Sequence, residues 1–316
     1  MRITSLMMVD NAIQHMTENM EALSNLQERA STGKLIRTPA DDPSVAVAGL
    51  SLRSTLATQA AYQDSAQTTL DWLDANDLAV GSMIDLGTRA LNLAKSGVSD
   101  TMNTNERNAI ANDIEGVLQN AVAVANSAHQ GKYIFAGYYV NGDATGQPPF
   151  QYTPGGGAVN VTVGAPNPPG DTSGVISHTI ERGHIIRVNI DGSATFQPFF
   201  NALIAVRDAL QAPVFSTTNL TTAITALDAA VNSNTAGPTP SLSVVRTTNG
   251  DRTRQVNMAL DRMTQTGNAL KNLLSHKEDA NLAETISLLN HQQTVYQAVL
   301  AVGKDAIPAS LFDFLK

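Results

Sequence analysis

The sequence predicts a mainly α-helical protein with a β-rich insert, in which long coiled-coil-like helices come from both ends of the chain. Three observations favour this fold class. Apolar residues recur at alternating spacings of three and four near both ends, glycine and proline concentrate in one central stretch, and β-branched residues alternate in and after that stretch. The chain of 316 residues is long enough to bury a substantial core.

The first predicted helix carries a seven-residue apolar repeat, which is typical of a narrow coiled-coil seam. A helix of about 25 residues is poorly stable alone in water, so it needs a partner. A second repeat near the other end offers one and is followed by a dense apolar cluster. The residues that we expect to form this interaction surface are Leu6, Val9, Ile13, Met16, Met20, Leu23, Leu282, Ile286, Leu289, Tyr296, Leu300, Leu311, Phe312 and Phe314.

The C-terminal repeat has a second apolar stripe beside the first, formed by Leu288, Val295, Val299 and Val302. Two stripes on one helix indicate contact with more than one neighbour, and a large apolar patch at a terminus is typical of an interaction surface. An ordinary intramolecular hairpin, in which both chain ends complete one core, is the alternative.

A turn is predicted between the first and second helices. Gly33 suits a helix C-terminus, while Asp42 followed by Pro43 is typical of an N-cap and a first helical position. Asp41 and Asp42 also resemble paired catalytic carboxylates. Adjacent acids before a proline are more often caps, however, and Arg37 lies near enough to form an ion pair with them.

The helical repeat then resumes over residues 45–94, as one very long helix or as two helices that break near Gly81 or Gly87. Thr104 or Asn105 is the expected cap of a further helix, with a seam over residues 110–128. Residues 256–274 form another, and short helices are expected at 199–210 and 220–231. The glycine- and proline-rich stretch 137–174 excludes helix, and strands are predicted at 159–163, 175–179, 185–190 and 194–196.

The composition excludes several functional classes. Without cysteine the chain has neither thiol catalysis nor disulfides, and its six histidines show no zinc-site spacing. A net charge of -8 argues against nucleic acid, and no apolar run reaches the ~20 residues of a membrane span. Asp10 interrupts any signal-peptide core. We therefore expect no enzyme, cofactor or metal site, no membrane insertion, and a cytoplasmic protein or one exported with an uncleaved terminus.

Several segments resemble the bacterial flagellin family. Residues 30–43, with the sequence ASTGKLIRTPADDP, resemble the turn after that family's first helix, and residues 134–137 (IFAG) resemble the end of its N-terminal helical region. The extreme ends, MRIT and SLFDFL, resemble the hook-associated members that join hook to filament more than flagellin itself. IERGH at 180–184 with VNIDG at 188–192 resembles the middle domain of those members.

The resemblance implies a flagellin-like layered architecture with three parts. Residues 1–42 with 277–316 are expected to form an inner terminal coiled-coil domain, 43–136 with 198–276 a helical bundle, and 137–197 an outward β-rich insert. It also implies a structural subunit at the junction between hook and filament. The alternatives are a filament subunit and, less favoured, a secreted ligand-binding or adhesive protein.

The implied partners follow from the same resemblance. They are copies of the chain in a ring, the other hook-associated junction protein on the hook side, flagellin or the filament on the distal side, and a cytosolic export chaperone at the C-terminal segment. The chain would leave the cell unfolded through the flagellar type III apparatus, without a cleaved signal peptide, and act in the extracellular flagellum. The absence of cysteine fits such export.

Overall fold

A computed structural model describes residues 5–36, 38–99, 102–142, 146–161, 172–234 and 239–306. Over these residues it confirms the mainly α-helical fold class. The helices are α1 (Ser5–Thr32), α2 (Pro43–Ser96), α3 (Thr104–Ala125), α4 (Gly192–Gln211), α5 (Thr217–Asn232), α6 (Leu242–Glu278) and α7 (Leu282–Ala306). The strands are β1 (Ala128–His129), β2 (Lys132–Tyr133), β3 (Phe150–Gln151), β4 (Asn160–Val161), β5 (Ser177–Glu181) and β6 (His184–Arg187).

The described chain divides into two compact units. The terminal unit takes its residues from Met1–Thr58 and Gln265–Lys316, and the central unit takes its residues from Gln59–Thr264. Helices α1 and α7 belong wholly to the terminal unit, whereas α2 and α6 each contribute one end to it.

Helix α2 runs through 54 residues as one helix, so neither Gly81 nor Gly87 breaks it. Gly87 is there for close packing. A Cβ atom at this position would lie 2.6 Å from Cγ2 of Val231 and 3.0 Å from the ring of Phe199. The small residue lets α5 and α4 approach the backbone of α2, and packing against these neighbours outweighs the low helix propensity of glycine.

The cap of α3 is Asn103, so the prediction of Thr104 or Asn105 is wrong by one or two residues. The side chain of Asn103 accepts a hydrogen bond from the Glu106 amide at 2.9 Å, and the Glu106 carboxylate accepts one from the Asn103 amide at 2.9 Å. Because this capping box needs a glutamate three residues after the cap, only Asn103 satisfies it. The helix ends at Ala125, and Ala128 lies in β1 rather than in the helical seam.

The strands form three antiparallel pairs, β1 with β2, β3 with β4 and β5 with β6. The first pair is not predicted by the sequence, whereas each of the other two includes predicted strand residues. The predicted strand at 194–196 is wrong, because these residues form the first turns of α4. Asp191 accepts a hydrogen bond from the Ala194 amide at 3.1 Å as the N-cap.

The core of the central unit contains a cluster of phenylalanine rings, none more than 1% exposed. Phe135 and Phe196 meet edge to face at 4.7 Å between ring centres, and Phe150 and Phe200 meet at 6.0 Å. Each such pair contributes about 0.5–1.5 kcal/mol beyond burial of its area. On α4, Phe196, Phe199, Phe200 and Leu203 recur at helical spacing, which explains why this segment is a helix.

A buried polar network connects the segment between β3 and β4 to helices α3 and α4. The Arg207 guanidinium on α4 donates to Glu115 on α3 at 2.9 Å and to the Tyr152 hydroxyl at 2.6 Å. Glu115 also accepts from the Tyr152 hydroxyl at 2.8 Å and from the Gly155 amide at 3.0 Å. Burial alone would raise the pKa of Glu115, but these hydrogen bonds outweigh it and lower that pKa. Burial, together with Glu115, raises the pKa of Tyr152 to about 12.

Candidate interaction surface of the terminal helices

Helices α1 and α7 pack against each other in the terminal unit. Gln292 on α7 donates a hydrogen bond to the Asn19 side chain on α1 at 2.8 Å. Lys34, just after α1, pairs with Asp279, just before α7. Since α1 runs towards this pairing and α7 runs away from it, the two helices are antiparallel.

The side chains between the two helices recur at spacings of three and four on each helix, as in a coiled coil. On α1 these half-buried residues are Met16, Asn19, Leu23, Leu26 and Ala30. On α7 they are the buried Thr285 and the half-buried Leu289, Gln292, Tyr296 and Val299. We call these two rows the seam. Its polar pair, Asn19 with Gln292, fixes the register, because a shifted register would break the hydrogen bond between the two side-chain amides.

Part of the predicted interaction surface lies in the seam and part lies outside it. Met16, Leu23, Leu289 and Tyr296 are in the seam, whereas Ile13 is 54%, Met20 61% and Ile286 50% exposed. Leu282 and Leu300 are exposed beside them, as are Leu288 and Val302 of the second stripe. Val295 and Val299 of the second stripe are half-buried, so the antiparallel pair covers the seam and part of this stripe and leaves the other apolar side chains exposed.

The remaining predicted surface residues are placed only in part. Leu6 and Val9 lie in the first turns of α1, but their side chains are outside what the structure describes. Leu311, Phe312 and Phe314 lie outside the described residues altogether. Of the α1 side chains that are described, none is fully buried, and Thr285 is the one buried side chain in the described part of α7.

The connections that flank the two helices form a short antiparallel pairing, which we call the junction. The Leu35 amide donates to the Glu278 carbonyl at 2.7 Å, and the Ala280 amide donates to the Gly33 carbonyl at 2.8 Å. Gly33 ends α1 with a φ of 67°, a left-handed conformation that favours glycine. The junction joins the chain leaving α1 to the chain entering α7.

Glu278 is the charged centre of the junction and is only 9% exposed. Its carboxylate accepts a hydrogen bond from Arg53 at 2.6 Å and lies 3.9 Å from the Lys34 ammonium group. A Cβ atom on Gly49 of α2 would meet this carboxylate, so a larger residue there would displace the Glu278 side chain from its present position. The neighbouring Asp279 is exposed, and a hydrogen bond from Lys34, helped by one from Ser275, lowers its pKa.

The predicted turn residues act as hydrogen-bond acceptors at the start of α2, which begins at Pro43. Asp42 accepts from the amides of Ser44 at 3.0 Å and Val45 at 3.1 Å, as an N-cap does. The Ser44 hydroxyl and these amides lower the pKa of Asp42. Asp41 accepts from the Thr38 amide at 2.9 Å. Arg37 lies outside the described residues.

Sequence reasoning missed Asn19, Gln292, Arg53, Glu278 and Gly49. The first two carry a signal, since both are polar residues that continue a row of apolar ones at heptad spacing. The other three carry none, because Glu278 meets Arg53 across 225 positions of sequence.

Within the described residues we find neither a metal-binding cluster nor a helix suited to crossing a membrane. No three histidine, aspartate or glutamate side chains among them converge as a metal site requires. None of the described helices combines the length and the apolar character that crossing a membrane demands.

Comparison with known proteins matches residues 3–140 to the bacterial flagellin N-terminal helical region. The whole chain is 27% identical over 332 aligned positions to the flagellar hook-associated protein 3 of Escherichia coli K12, with 100% of both chains covered. A match to the protein of the same name from Salmonella typhimurium LT2 has 27% identity over 161 positions, and covers 49% of this chain and 48% of that one.

The fold also matches a solved structure of a flagellar hook-associated protein from Vibrio parahaemolyticus. The TM-score is 0.63 at 13% identity, with 76% of this chain and 100% of that chain covered. At this identity the likeness concerns the fold alone.

Proposed function

We propose a structural role at one defined place for this chain, whose residues 3–140 match the flagellin N-terminal helical region and which aligns over its whole length with a flagellar hook-associated protein. These two likenesses support the coarse role, a structural component of the bacterial flagellum. The finer proposal is that the chain forms the junction between hook and filament and assembles through its terminal helices.

The exposed apolar rows of α1 and α7 are the observation that carries this proposal. If α1 and α7 formed a complete structure with no further partner, they would bury their apolar side chains. Ile13, Met20 and Ile286, however, remain at least half exposed. Exposed apolar surface is stabilised when a neighbouring molecule covers it, at about 25 cal/mol for each Å². Helices of neighbouring subunits, packed around the pair, would supply that cover.

The proposed assembly has the following form. Residues 1–42 with 277–316 make an inner coiled-coil layer, 43–136 with 198–276 the helical bundle and 137–197 the outward insert. Copies of the chain form a ring in which each contact joins two different faces, so that contacts propagate around and along an axis. The other hook-associated junction protein lies on the hook side and flagellin on the distal side.

The proposed route to this place is export as an unfolded chain, without a cleaved signal peptide, to the extracellular flagellum. A cytosolic export chaperone binds the C-terminal segment until then. Apolar rows that await a partner support this proposal, because they would aggregate in the cytoplasm without protection.

Location on the intact flagellum tests the proposal most directly. We expect immunogold labelling of the protein to give one spot at the base of each filament. Labelling along the whole filament would contradict the junction and support a filament subunit, an alternative that the flagellin-type N-terminal region favours. Copy number gives the same distinction, since a filament needs many more subunits than a ring.

Point variants test the surface itself. In cells that lack the native gene copy, we expect the double change Ile13→Ser with Ile286→Ser to abolish filament growth while the soluble protein keeps its helical circular dichroism. Val214→Ser is the matched control, because Val214 is 84% exposed but lies in the central unit. Removal of residues 1–40 or 283–316 should also prevent incorporation. Normal growth with the double variant would overturn assembly through these rows.

A further inference from the structure

The central unit contains a cavity of about 270 Å³ that no part of the proposed function uses. It lies beside the β6–α4 connection and the first turns of α6. Its polar lining includes Arg187 at the end of β6, Asn189 and Asp191 in the connection, Thr195 on α4, and Thr248 and Arg252 on α6.

The two arginines that line the cavity have spare hydrogen-bond donors. The Nε atom of Arg187 donates to the Asn189 carbonyl at 3.1 Å, which leaves its two terminal nitrogens. Within the described part of the chain, neither those terminal nitrogens nor any guanidinium nitrogen of Arg252 has an acceptor or a carboxylate within bonding distance. By contrast, Arg53, Arg207, Arg246, Arg254 and Arg262 each form an ion pair.

The charges of the lining are unbalanced. Burial, and then the positive charge of Arg187, lower the pKa of Arg252, which means that its surroundings disfavour the charged form. Arginine nevertheless stays protonated in proteins. Asp191 is the acid in the lining, and one of its oxygens is occupied by the Ala194 amide at 3.1 Å and the Thr172 hydroxyl at 2.7 Å. Two positive groups thus face one negative group, in a chain of net charge -8.

We propose that this cavity binds an oxyanion, a phosphate or carboxylate group, between Arg187 and Arg252. The planar guanidinium group presents paired donors that match the oxygens of such groups. The hydroxyls of Thr195 and Thr248 lie in the same lining and add polar contacts. The start of α4 does not supply the site, since the Ser193 amide already donates to Thr172 at 2.6 Å and the Ala194 amide to Asp191.

Titration of the full chain with inorganic phosphate tests the proposal, with chloride keeping the ionic strength constant. We expect saturable binding by calorimetry that weakens about tenfold or more in Arg252→Gln and in Arg187→Gln, because each change removes a charged pair of donors. Arg254→Gln is the matched control, since Arg254 is exposed on the same helix and paired with Asp251. Arg252→Lys keeps the positive charge but lacks the paired donors of the guanidinium group, so this variant should bind phosphate with intermediate affinity.

A second measurement needs no variant to fold. In the unaltered protein, phosphate should shift the side-chain Nε–H NMR signals of Arg187 and Arg252 more than those of any exposed arginine. Non-saturable binding, equal loss in Arg254→Gln, or equal shifts at all arginines would overturn the site.

The source of the oxyanion is distinguished by sedimentation velocity. If a carboxylate of a neighbouring copy fills the cavity, phosphate lowers the self-associated fraction of the protein, and Arg252→Gln lowers it without phosphate. If the ligand is a free anion, phosphate binds and self-association stays unchanged. Either result supports the site, which rests on the central unit and holds whether or not the chain lies at the hook-filament junction.

Discussion

The central and terminal units differ in where their apolar side chains lie. In the central unit Phe196 and Leu203 are 0% exposed, within a large cluster of buried apolar residues. In the terminal unit Ile13 is 54% exposed, although it continues the same kind of helical repeat. Both units carry single exposed apolar side chains, but the central unit has a large buried core, whereas no apolar side chain is fully buried in the described parts of α1 and α7.

The largest expected effect is a loss of stability when the buried core of the central unit is disrupted. Phe196→Ala removes a ring that contacts Phe135, Phe150 and Phe200, and it should lower the free energy of unfolding by about 3–5 kcal/mol. Urea denaturation followed by circular dichroism measures this. Met20→Ala, in the terminal unit, should change the value by less than about 0.5 kcal/mol. Equal losses from the two changes would contradict the comparison.

The next effect concerns the buried network of the central unit. Arg207→Gln leaves the Glu115 carboxylate largely buried without its cation, and we expect a loss of about 2–3 kcal/mol at neutral pH. Tyr152→Phe keeps the ion pair and serves as the control, with a smaller loss.

The same network predicts a pH dependence. The pKa of Glu115 is lower in the folded state than its ordinary value of 4.5, so the network's contribution is present above that value and is lost as the pH falls through the folded pKa. The melting temperature of the unaltered protein should therefore fall more steeply below about pH 4.5 than that of Arg207→Gln. Parallel curves would show that this pair is not the cause.

A smaller effect is expected at the junction of the terminal unit. Glu278→Gln removes the carboxylate that Arg53 and Lys34 share, and it should speed amide exchange in α1 and α7 by an amount equivalent to about 1 kcal/mol. Exchange in α4 should not change, since α4 lies in the central unit. Asp279→Asn, at an exposed carboxylate, should have a weaker effect. Faster exchange throughout the protein would mean that the two units unfold together.

The smallest expected effect concerns the Asn19–Gln292 pair in the seam. Replacing both Asn19 and Gln292 by leucine removes a polar pair without leaving one partner unsatisfied, so α1 and α7 should exchange slightly more slowly, by less than about 1 kcal/mol. Gln27→Leu, at an exposed position of α1, is the control and should leave exchange unchanged. Faster exchange in the double variant would show that the amide pair stabilises the seam as well as fixing its register.

The helices were predictable because their apolar period is long and regular. The period located α1, α3, α6 and α7, and the uncertainty about α2 came from Gly81 and Gly87, which lower helix propensity. In the structure α2 continues through both glycines. A methyl group of Val231 and the ring of Phe199 lie so close to Gly87 that a larger residue would not fit there. Such a contact between distant segments is invisible in a single local pattern.

The interaction surface was predictable only as a set of candidate rows. Heptad spacing allows two adjacent rows on α1, and the apolar row through Ile13 and Met20 is the more hydrophobic of them. The structure turns the row with Asn19 towards α7, because its amide meets Gln292. Glu278 gave no signal, since a lone glutamate at a helix end is ordinary until its distant partner Arg53 is known.

The junction between Gly33–Leu35 and Glu278–Ala280 joins segments that are 245 positions apart at its Lys34–Asp279 ion pair. The central unit, by contrast, is one continuous stretch of chain that ends before Glu278 and α7. Once folded, it shortens the loop that the junction must close, which lowers the entropy cost of closing it. A chain interrupted before Glu278 would therefore lack both the junction and α7, and only a molecule that extends through α7 can offer its neighbours both helices.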